Sequence, residues 1–444
     1  MPKKNEEVDY SALLETDVPR LKEEAKKNLS GALEGLFLLE KQTRQGGDFT
    51  TCAKIAREIV RICYQSENWT QLNDTLVTLS KRRGQSKTVI QEAVQEAMGF
   101  LDSIDEIPVA TELIKILRGI TEGKIFVELE SAELTKKLAE IYEKTDKIKQ
   151  AAKVLQEVQV ETLSKMETKE KINYILEQVR LCLRSNDFIR AQILSRKVNQ
   201  KILAKDEFQQ EKLRYHQLMI EFYGSQENCS EIARAYQSIF NTPMVQENEE
   251  EWSKNLKLLC IFSVLSAHSS EQSDMINRTF LLKKLSELPL YRQLLKQFLT
   301  KELMNWSEIE AHYSGELSSF PQFSGESGEK LWKILQLRVV EHNIRVIAEY
   351  YSRIKSDRLC QLLGLEQSIV EERLSDLVVN GSIYARIDRP AGLINFRRPS
   401  SPVDTLNDWK GNVNELLNLI EKTCHLVQRE NMVYQHAKVR GGKQ

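Results

Sequence analysis

Helix-breaking residues are scarce in this sequence, which has 18 glycines and 9 prolines among 444 residues. Average usage of glycine and proline together is about 12%, roughly twice the share found here. β-Sandwiches, barrels and doubly wound α/β proteins need many glycine and proline turns, so the composition argues against these classes. Residues 124–223 contain neither glycine nor proline, and their apolar side chains recur at helical spacing. The composition therefore predicts an all-α protein, and the length allows about three domains or one repeat array with a cap.

The cysteines form no disulfide or metal-binding pattern. There are seven of them, and none lies within four residues of another. Buried free thiols in a reducing compartment explain such a distribution. The N-terminal residues lack the apolar core of a secretory signal, and no stretch approaches 18 consecutive apolar residues. We expect a soluble intracellular protein with no membrane partner.

Motifs for catalysis and cofactor binding are also missing. The sequence has no GxxxxGKS/T phosphate loop and no GxGxxG turn, and its six histidines form neither an HxH pair nor an HExxH motif. Cys424 and His425 are neighbours, but adjacent helix positions point about 100° apart and cannot form a nucleophile–base pair. His342 is interpreted as a polar helix residue that hydrogen-bonds across a helix junction. We therefore expect no enzyme, no catalytic residue, no metal and no cofactor.

A weak repeat with a period of about 40 residues supports a helical-repeat array. In each copy a large residue follows a polar turn, and further apolar residues follow about three and seven positions later. The pattern indicates antiparallel helix pairs in a right-handed, TPR-like solenoid over residues 11–311, after a flexible N-terminus at 1–10. The copies comprise Trp69, Leu72 and Leu76; Ile148, Ala151 and Leu155; Phe188, Ala191 and Leu194; and Cys229, Ile232 and Tyr236.

The composition changes at residues 312–328, where three glycines, one proline and five serines predict a loop or linker. A long helix is expected over 329–354, followed by short helices from about 356 to 364 and over 366–379. Residues 383–387 then alternate like a strand, a turn follows, and residues 393–396 can return as a second strand. Helix, turn, helix and hairpin in this order indicate a winged-helix domain at 329–398.

The last predicted helix, at residues 403–435, has an apolar seam with intervals of three and four residues, as in helical bundles and coiled coils. The seam follows a domain that is already complete, so it either folds back or meets a partner. We expect the seam to bind a partner and residues 436–444 to form a flexible tail. The seam consists of Leu406, Trp409, Val413, Leu416, Ile420, Cys424 and Val427.

The winged helix raises the alternative of a nucleic-acid-binding module. Its second helix would enter the major groove, yet residues 366–379 carry four acidic residues against Arg373 alone. The whole chain is also nearly neutral, with a formal net charge of −1. A negatively charged helix repels phosphates, so we expect no nucleic-acid partner, and the alternative rests on the arginines of the wing. Those arginines are Arg386, Arg389, Arg397 and Arg398.

Four segments resemble one family of PCI-domain proteins: residues 31–49, 121–141, 158–178 and 338–354. The strings KIFVELE and EHNIRVIAEYYSRI within them are the specific part of the match. They are similar to the family of the regulatory-particle non-ATPase subunit five of the 26S proteasome lid. The similarity runs from about residue 10 to the C-terminus, although residues 314–328 and the tail after 435 match no motif of the family.

The resemblance implies a non-catalytic scaffold subunit that supports lid assembly and ubiquitin-dependent protein degradation in the cytoplasm and nucleus. It implies a hetero-oligomer in which winged helices of the lid subunits pair edge to edge and their C-terminal helices gather in one bundle. The solenoid arm would approach the outer ring of the core particle, and the chain would lie near the lid's deubiquitinating metalloprotease. The fourth subunit of the COP9 signalosome shares this architecture and remains the alternative. The winged-helix residues expected to meet a partner are Ile383, Tyr384, Arg386, Ile394 and Phe396.

Overall fold

The computed structural model describes residues 11–25, 29–104, 106–163, 165–323, 325–398 and 401–441. The chain divides into two compact units, residues 1–259 and 260–444, and helix α15 spans the division. The prediction of an all-α protein with helical repeats and a winged helix is confirmed, since the described residues contain a single three-stranded sheet. The helices up to the division are α1 Ser11–Ala25, α2 Leu29–Gly46, α3 Phe49–Gln65, α4 Trp69–Lys81, α5 Lys87–Phe100, α6 Ile107–Thr121, α7 Glu128–Lys144, α8 Ile148–Gln156, α9 Thr168–Arg184, α10 Phe188–Lys197, α11 Gln200–Leu203, α12 Gln209–Ser225, α13 Cys229–Phe240, α14 Pro243–Glu247 and α15 Glu249–Leu265.

The second unit continues with helices and carries the strands at its winged helix. Its elements are α16 Ser270–Phe280, α17 Pro289–Leu299, α18 Trp306–Leu317, α19 Gly325–Tyr350, β1 Arg353–Lys355, α20 Ser356–Leu363, α21 Gln367–Val379, β2 Arg386–Asp388, β3 Leu393–Asn395 and α22 Pro402–Gly441.

The repeat predicted from the sequence coincides with the helix starts of the first unit. Each leading residue of the repeat is the first residue of a helix, and those helices are α4, α8, α10 and α13. In all four turns the residue two positions earlier has a left-handed backbone conformation, with φ between 54° and 59°. In three of these turns the next residue, Lys147, Asp187 or Asn228, donates its backbone N–H to the carbonyl of the residue five positions before it. This is the hydrogen bond of a Schellman motif. The residue that donates it therefore closes the end of one helix and also occupies the N-cap position of the next. The left-handed residues are Glu67, Asp146, Asn186 and Glu227.

A fifth copy of this turn precedes α3, where Gly47 has φ +83° and Asp48 caps the helix that starts at Phe49. Asp48, Asn68, Asp187 and Asn228 each accept a hydrogen bond from the backbone N–H three residues later. Such caps stabilise a helix start by about 1 kcal/mol. The structure thus extends the repeat by one copy that the sequence analysis did not identify.

The left-handed turn provides a stability prediction at Glu67, an exposed residue with φ 54°. Left-handed backbone costs a residue with a Cβ about 1–2 kcal/mol, whereas glycine adopts it freely and loses about 0.5–1 kcal/mol of chain entropy. We expect Glu67→Gly to leave the free energy of unfolding unchanged or raise it by up to about 1 kcal/mol. Glu140→Gly, at an exposed position inside α7, should lower it by about 1 kcal/mol. Urea unfolding of both variants tests this, and equal losses would contradict the role of the turn.

Apolar faces of neighbouring helices form the core of the first unit. Helix α3 packs on α5, α7 on α8, α9 on α10, and α12 on α13. One buried cluster joins α2 to α7, and a second joins α9 to α12. Ion pairs connect the first helix of one pair to the first helix of the next. Arg180 of α9, for example, makes two contacts of 2.6 and 2.7 Å with Glu143 of α7. In a stack of helix pairs, each repeat buries its apolar side chains only by packing against the neighbouring repeats.

The winged helix has a sheet with strand order β1-β3-β2, antiparallel throughout. Ile354 and Ile387 are both opposite Ile394, so the three isoleucines occupy one row across the sheet. Ile394 packs with residues of α19, α20 and α21 in the buried core of this domain. The sequence analysis missed β1, and its first hairpin strand, predicted at 383–387, is observed at Arg386–Asp388.

The connection between α18 and α19 is shorter than the loop predicted at residues 312–328. Helix α18 continues to Leu317, and α19 starts at Gly325 instead of residue 329. Ile309, Tyr313 and Leu317 are buried at intervals of four residues, while Ser318 and Ser319 are exposed. Burial of this stripe offsets the weak helix propensity of serine and glycine, a penalty of up to about 1 kcal/mol per residue. Helix α19 then ends at Tyr350, four residues earlier than predicted, because the chain enters β1.

Candidate partner-binding surfaces

The seam of α22 is exposed along its whole length. Every residue of α22 whose side chain the structure describes is exposed, and the apolar seam positions range from 40% exposed at Val413 to 65% at Trp409. The part of the chain that the structure describes therefore provides no cover for this helix. An isolated helix gains little stability in water from propensity alone, so a 40-residue helix with an open apolar face is suited to association.

The apolar face of α22 is wider than the seam predicted from the sequence. Leu419, Leu426 and Val433 recur every seven residues, and each directly precedes the column of Ile420, Val427 and Tyr434. The two adjacent apolar columns make the face broad toward the C-terminal end of α22. Trp409 and Leu416 of the predicted seam continue the face toward the start of the helix. A face of this width fits a bundle with two or more neighbouring helices better than a single partner helix.

The predicted contact residues of the winged-helix hairpin divide into two groups. Ile394 and Phe396 are 1% and 7% exposed and belong to the domain's own core, so their side chains do not face a partner. This corrects their assignment as contact residues. Arg386 is exposed and Ile383 and Tyr384 are half-buried, with the Arg398 guanidinium 5.8 Å from the Tyr384 ring centre. The strand order leaves β1 and β2 as the edges at which another sheet or strand can pair.

The acidic surface of α21 persists in the structure and forms an ion pair with one wing arginine, Arg389. Arg389 Nε lies 3.1 Å from a carboxylate oxygen of Glu371, and Arg373 pairs with Asp376 at 3.3 Å. These contacts use positive charges that a nucleic-acid surface would need for phosphates. The local charge distribution therefore favours a protein partner at this face.

Cys52, Cys260 and His342 are all buried. Burial raises the pKa of Cys52 to about 11 and that of Cys260 to about 12, so both remain protonated near neutral pH. Among the described residues, no group of three or more His, Cys, Asp or Glu side chains could hold a metal ion. The interpretation of His342 is confirmed, since its Nε2 lies 3.3 Å from the Glu302 carbonyl oxygen across a helix junction. No described helix is both long and apolar enough to cross a membrane.

Helical repeats followed by a winged helix define a class of proteins, and matches to protein-family models identify that class. A model of the PCI domain matches residues 233–398. The model "PSMD12/CSN4, N-terminal" matches residues 31–248, and the model "26S proteasome regulatory subunit RPN5 C-terminal domain" matches residues 404–435. The chain is thus a PCI-domain protein with an additional C-terminal helix of its own family.

Sequence identity to known relatives shows which family of PCI-domain proteins the chain belongs to. The 26S proteasome non-ATPase regulatory subunit 12 of Dictyostelium discoideum is 44% identical over 429 residues, 96% of each chain. The 26S proteasome regulatory subunit RPN5 of Saccharomyces cerevisiae is 38% identical, again over 96% of each chain. COP9 signalosome complex subunit 4 of Drosophila melanogaster is 25% identical over 64% of this chain and 68% of its own. The chain belongs to the family of 26S proteasome non-ATPase regulatory subunit 12, also called RPN5.

Proposed function

We propose that this chain is a non-catalytic scaffold subunit of the 26S proteasome lid that uses α22 as its main assembly element. The observation that carries the proposal is the exposed apolar face of α22, which matches the RPN5 C-terminal family model at residues 404–435. A helix of this kind becomes stable by burying its face, and each Leu-sized side chain contributes about 1.5–3 kcal/mol on burial. Several such side chains are enough to hold a subunit in a large assembly.

The proposed contacts with individual neighbouring subunits, and the proposed cellular role, are based on the same family. We propose that edges β1 and β2 pair with the winged helices of neighbouring PCI subunits, as sheet edges commonly do. The helical repeats of the first unit would contact the outer ring of the core particle, close to the deubiquitinating metalloprotease of the lid. The subunit would act in ubiquitin-dependent protein degradation in the cytoplasm and nucleus, without a catalytic residue of its own.

Purification of the tagged full-length chain from cells tests this function against the COP9 alternative. We expect mass spectrometry to recover the other lid subunits together with core-particle and ATPase subunits, and to recover COP9 subunits at background level. The expectation rests on identities of 38–44% over nearly full length to proteasome subunits, compared with 25% over part of the chain to a COP9 subunit. Recovery of a stoichiometric COP9 complex, or of no lid subunit, would refute the proposal.

A further inference from the structure

A cavity of about 320 Å³ lies in the second unit between α16, the end of α17 and α19. One wall is apolar, with Ile276, Phe298 and Val346. The lining also includes His268, His342, Arg345 and Lys301. Ligand pockets range from about 300 to 1,000 Å³ and combine an apolar lining with a few polar groups, and this cavity meets both criteria.

Arg345 is the unusual residue of this cavity. Within the described part of the chain, no hydrogen bond or ion pair reaches its guanidinium, and its Nη1 is buried without a partner. Buried charged groups are normally paired, because a lost partner leaves the desolvation cost uncompensated. Burial lowers the pKa of Arg345 to about 10, so the side chain remains positively charged at neutral pH.

The acidic side chains around the cavity already have partners. Glu341, which faces Arg345, binds Arg338 at 2.7 Å, and Glu349 forms an ion pair with Lys301. The two histidines add no negative charge, and burial, followed by the charge of Arg345, lowers the pKa of both His342 and His268. The cavity therefore has one uncompensated positive charge, located on a planar group with several hydrogen-bond donors.

We propose that this cavity binds a small molecule through one oxyanion, a phosphate or a carboxylate, held by the Arg345 guanidinium. Arginine binds both groups through paired charge-assisted hydrogen bonds. The His268 and His342 rings flank the anion, and the apolar wall of Phe298 and Val346 accommodates the remaining part of the molecule. The Phe298 ring also packs edge-on against His342, with centres 5.5 Å apart, which fixes the ring beside the anion. The site is separate from α22 and does not depend on the proposed assembly function.

The rigid attachment of α19 supports a preformed site. Asn343 forms two hydrogen bonds of 2.8 Å with the backbone of Met304, one to the N–H and one to the carbonyl. Arg338 Nε donates to the Leu265 carbonyl at 3.0 Å. These contacts lie before Arg345 on the same helix, so they fix the position of Arg345 without using its guanidinium.

Titration of the full-length chain with inorganic phosphate, and separately with acetate, tests the site. Histidine ring resonances of His268 and His342 provide the NMR readout, with sodium chloride added to keep the ionic strength constant. We expect saturable shifts of both histidines with at least one of the two anions, and binding weakened about tenfold or more in Arg345→Gln. Saturation by phosphate alone identifies a phosphate ligand, and saturation by acetate alone identifies a carboxylate ligand.

Arg358→Gln is the matched control, because it removes the same charge from an exposed position on α20. It should leave both titrations unchanged. Without anion, Arg345→Gln should unfold at the same or a higher temperature than the unmodified chain, since it removes a half-buried positive charge whose Nη1 has no hydrogen-bond partner. The proposal is wrong if neither anion gives saturable shifts, or if Arg345→Gln and Arg358→Gln weaken binding equally.

Discussion

Leu416→Asp combined with Ile420→Asp is expected to abolish incorporation of the chain into the large complex. Both side chains lie on the exposed apolar face of α22, one helical turn apart. Each would contribute about 1.5–3 kcal/mol on burial in a bundle, and a buried carboxylate adds a further penalty. A loss of several kcal/mol in association corresponds to a change in affinity of more than about a thousandfold. Size fractionation of cell extracts, followed by immunoblotting for the tagged chain, measures incorporation.

The control for this experiment is Asn414→Asp combined with Asn418→Asp, on the same helix. It adds the same two negative charges at polar positions outside the apolar columns. This variant should fractionate with the complex, and circular dichroism should show unchanged helix content for both double variants. If Leu416→Asp with Ile420→Asp still fractionates with the full assembly, then α22 is not the assembly element.

Local sequence patterns predicted the elements that depend on local interactions. Large residues after polar turns marked the starts of α4, α8, α10 and α13 because capping and helix periodicity are encoded within a few residues. The left-handed conformation of Glu67 and Glu227 was not predictable, since glutamate has no preference for it. The backbone hydrogen bonds of the whole turn impose it, and they become visible only in the structure.

Features that depend on distant contacts were missed or misassigned. Strand β1 has three residues, too few for a periodic pattern, and it exists because Ile354 pairs with Ile394 about 40 positions later. Alternation correctly placed Ile394 in a strand but did not show that its side chain enters the core. The cavity at Arg345 combines three segments of the second unit, so the sequence pointed only to His342 within it.

Acidification is expected to destabilise the chain through two histidines, one in each unit: His342 is buried and His216 is half-buried. Burial, with a further contribution from Arg345, lowers the pKa of His342 to about 4. Burial, followed by the charge of Lys212, lowers the pKa of His216 to about 4. The unfolded chain has histidine pKa values near 6.5, so it binds more protons than the folded chain between pH 6.5 and 4. The stability contribution is therefore present above pH 6.5 and is lost as the pH falls below it.

His342→Gln and His216→Gln measure this loss separately. Between pH 7.5 and 5, each histidine should account for about 2 kcal/mol of lost stability in the unmodified chain. Each glutamine variant should therefore have a flatter dependence of stability on pH, even if its stability at pH 7.5 is lower. Scanning calorimetry at several pH values, in chloride buffers without phosphate, gives these slopes.

His312→Gln serves as the control, since His312 is exposed on α18. This variant removes an exposed surface side chain and should retain the full pH dependence of the unmodified chain. The double variant at positions 216 and 342 should show the sum of the two single effects, because the residues belong to different units and share no partner. If the three single variants all retain the slope of the unmodified chain, then neither His216 nor His342 resists protonation, and the acid sensitivity originates in other groups.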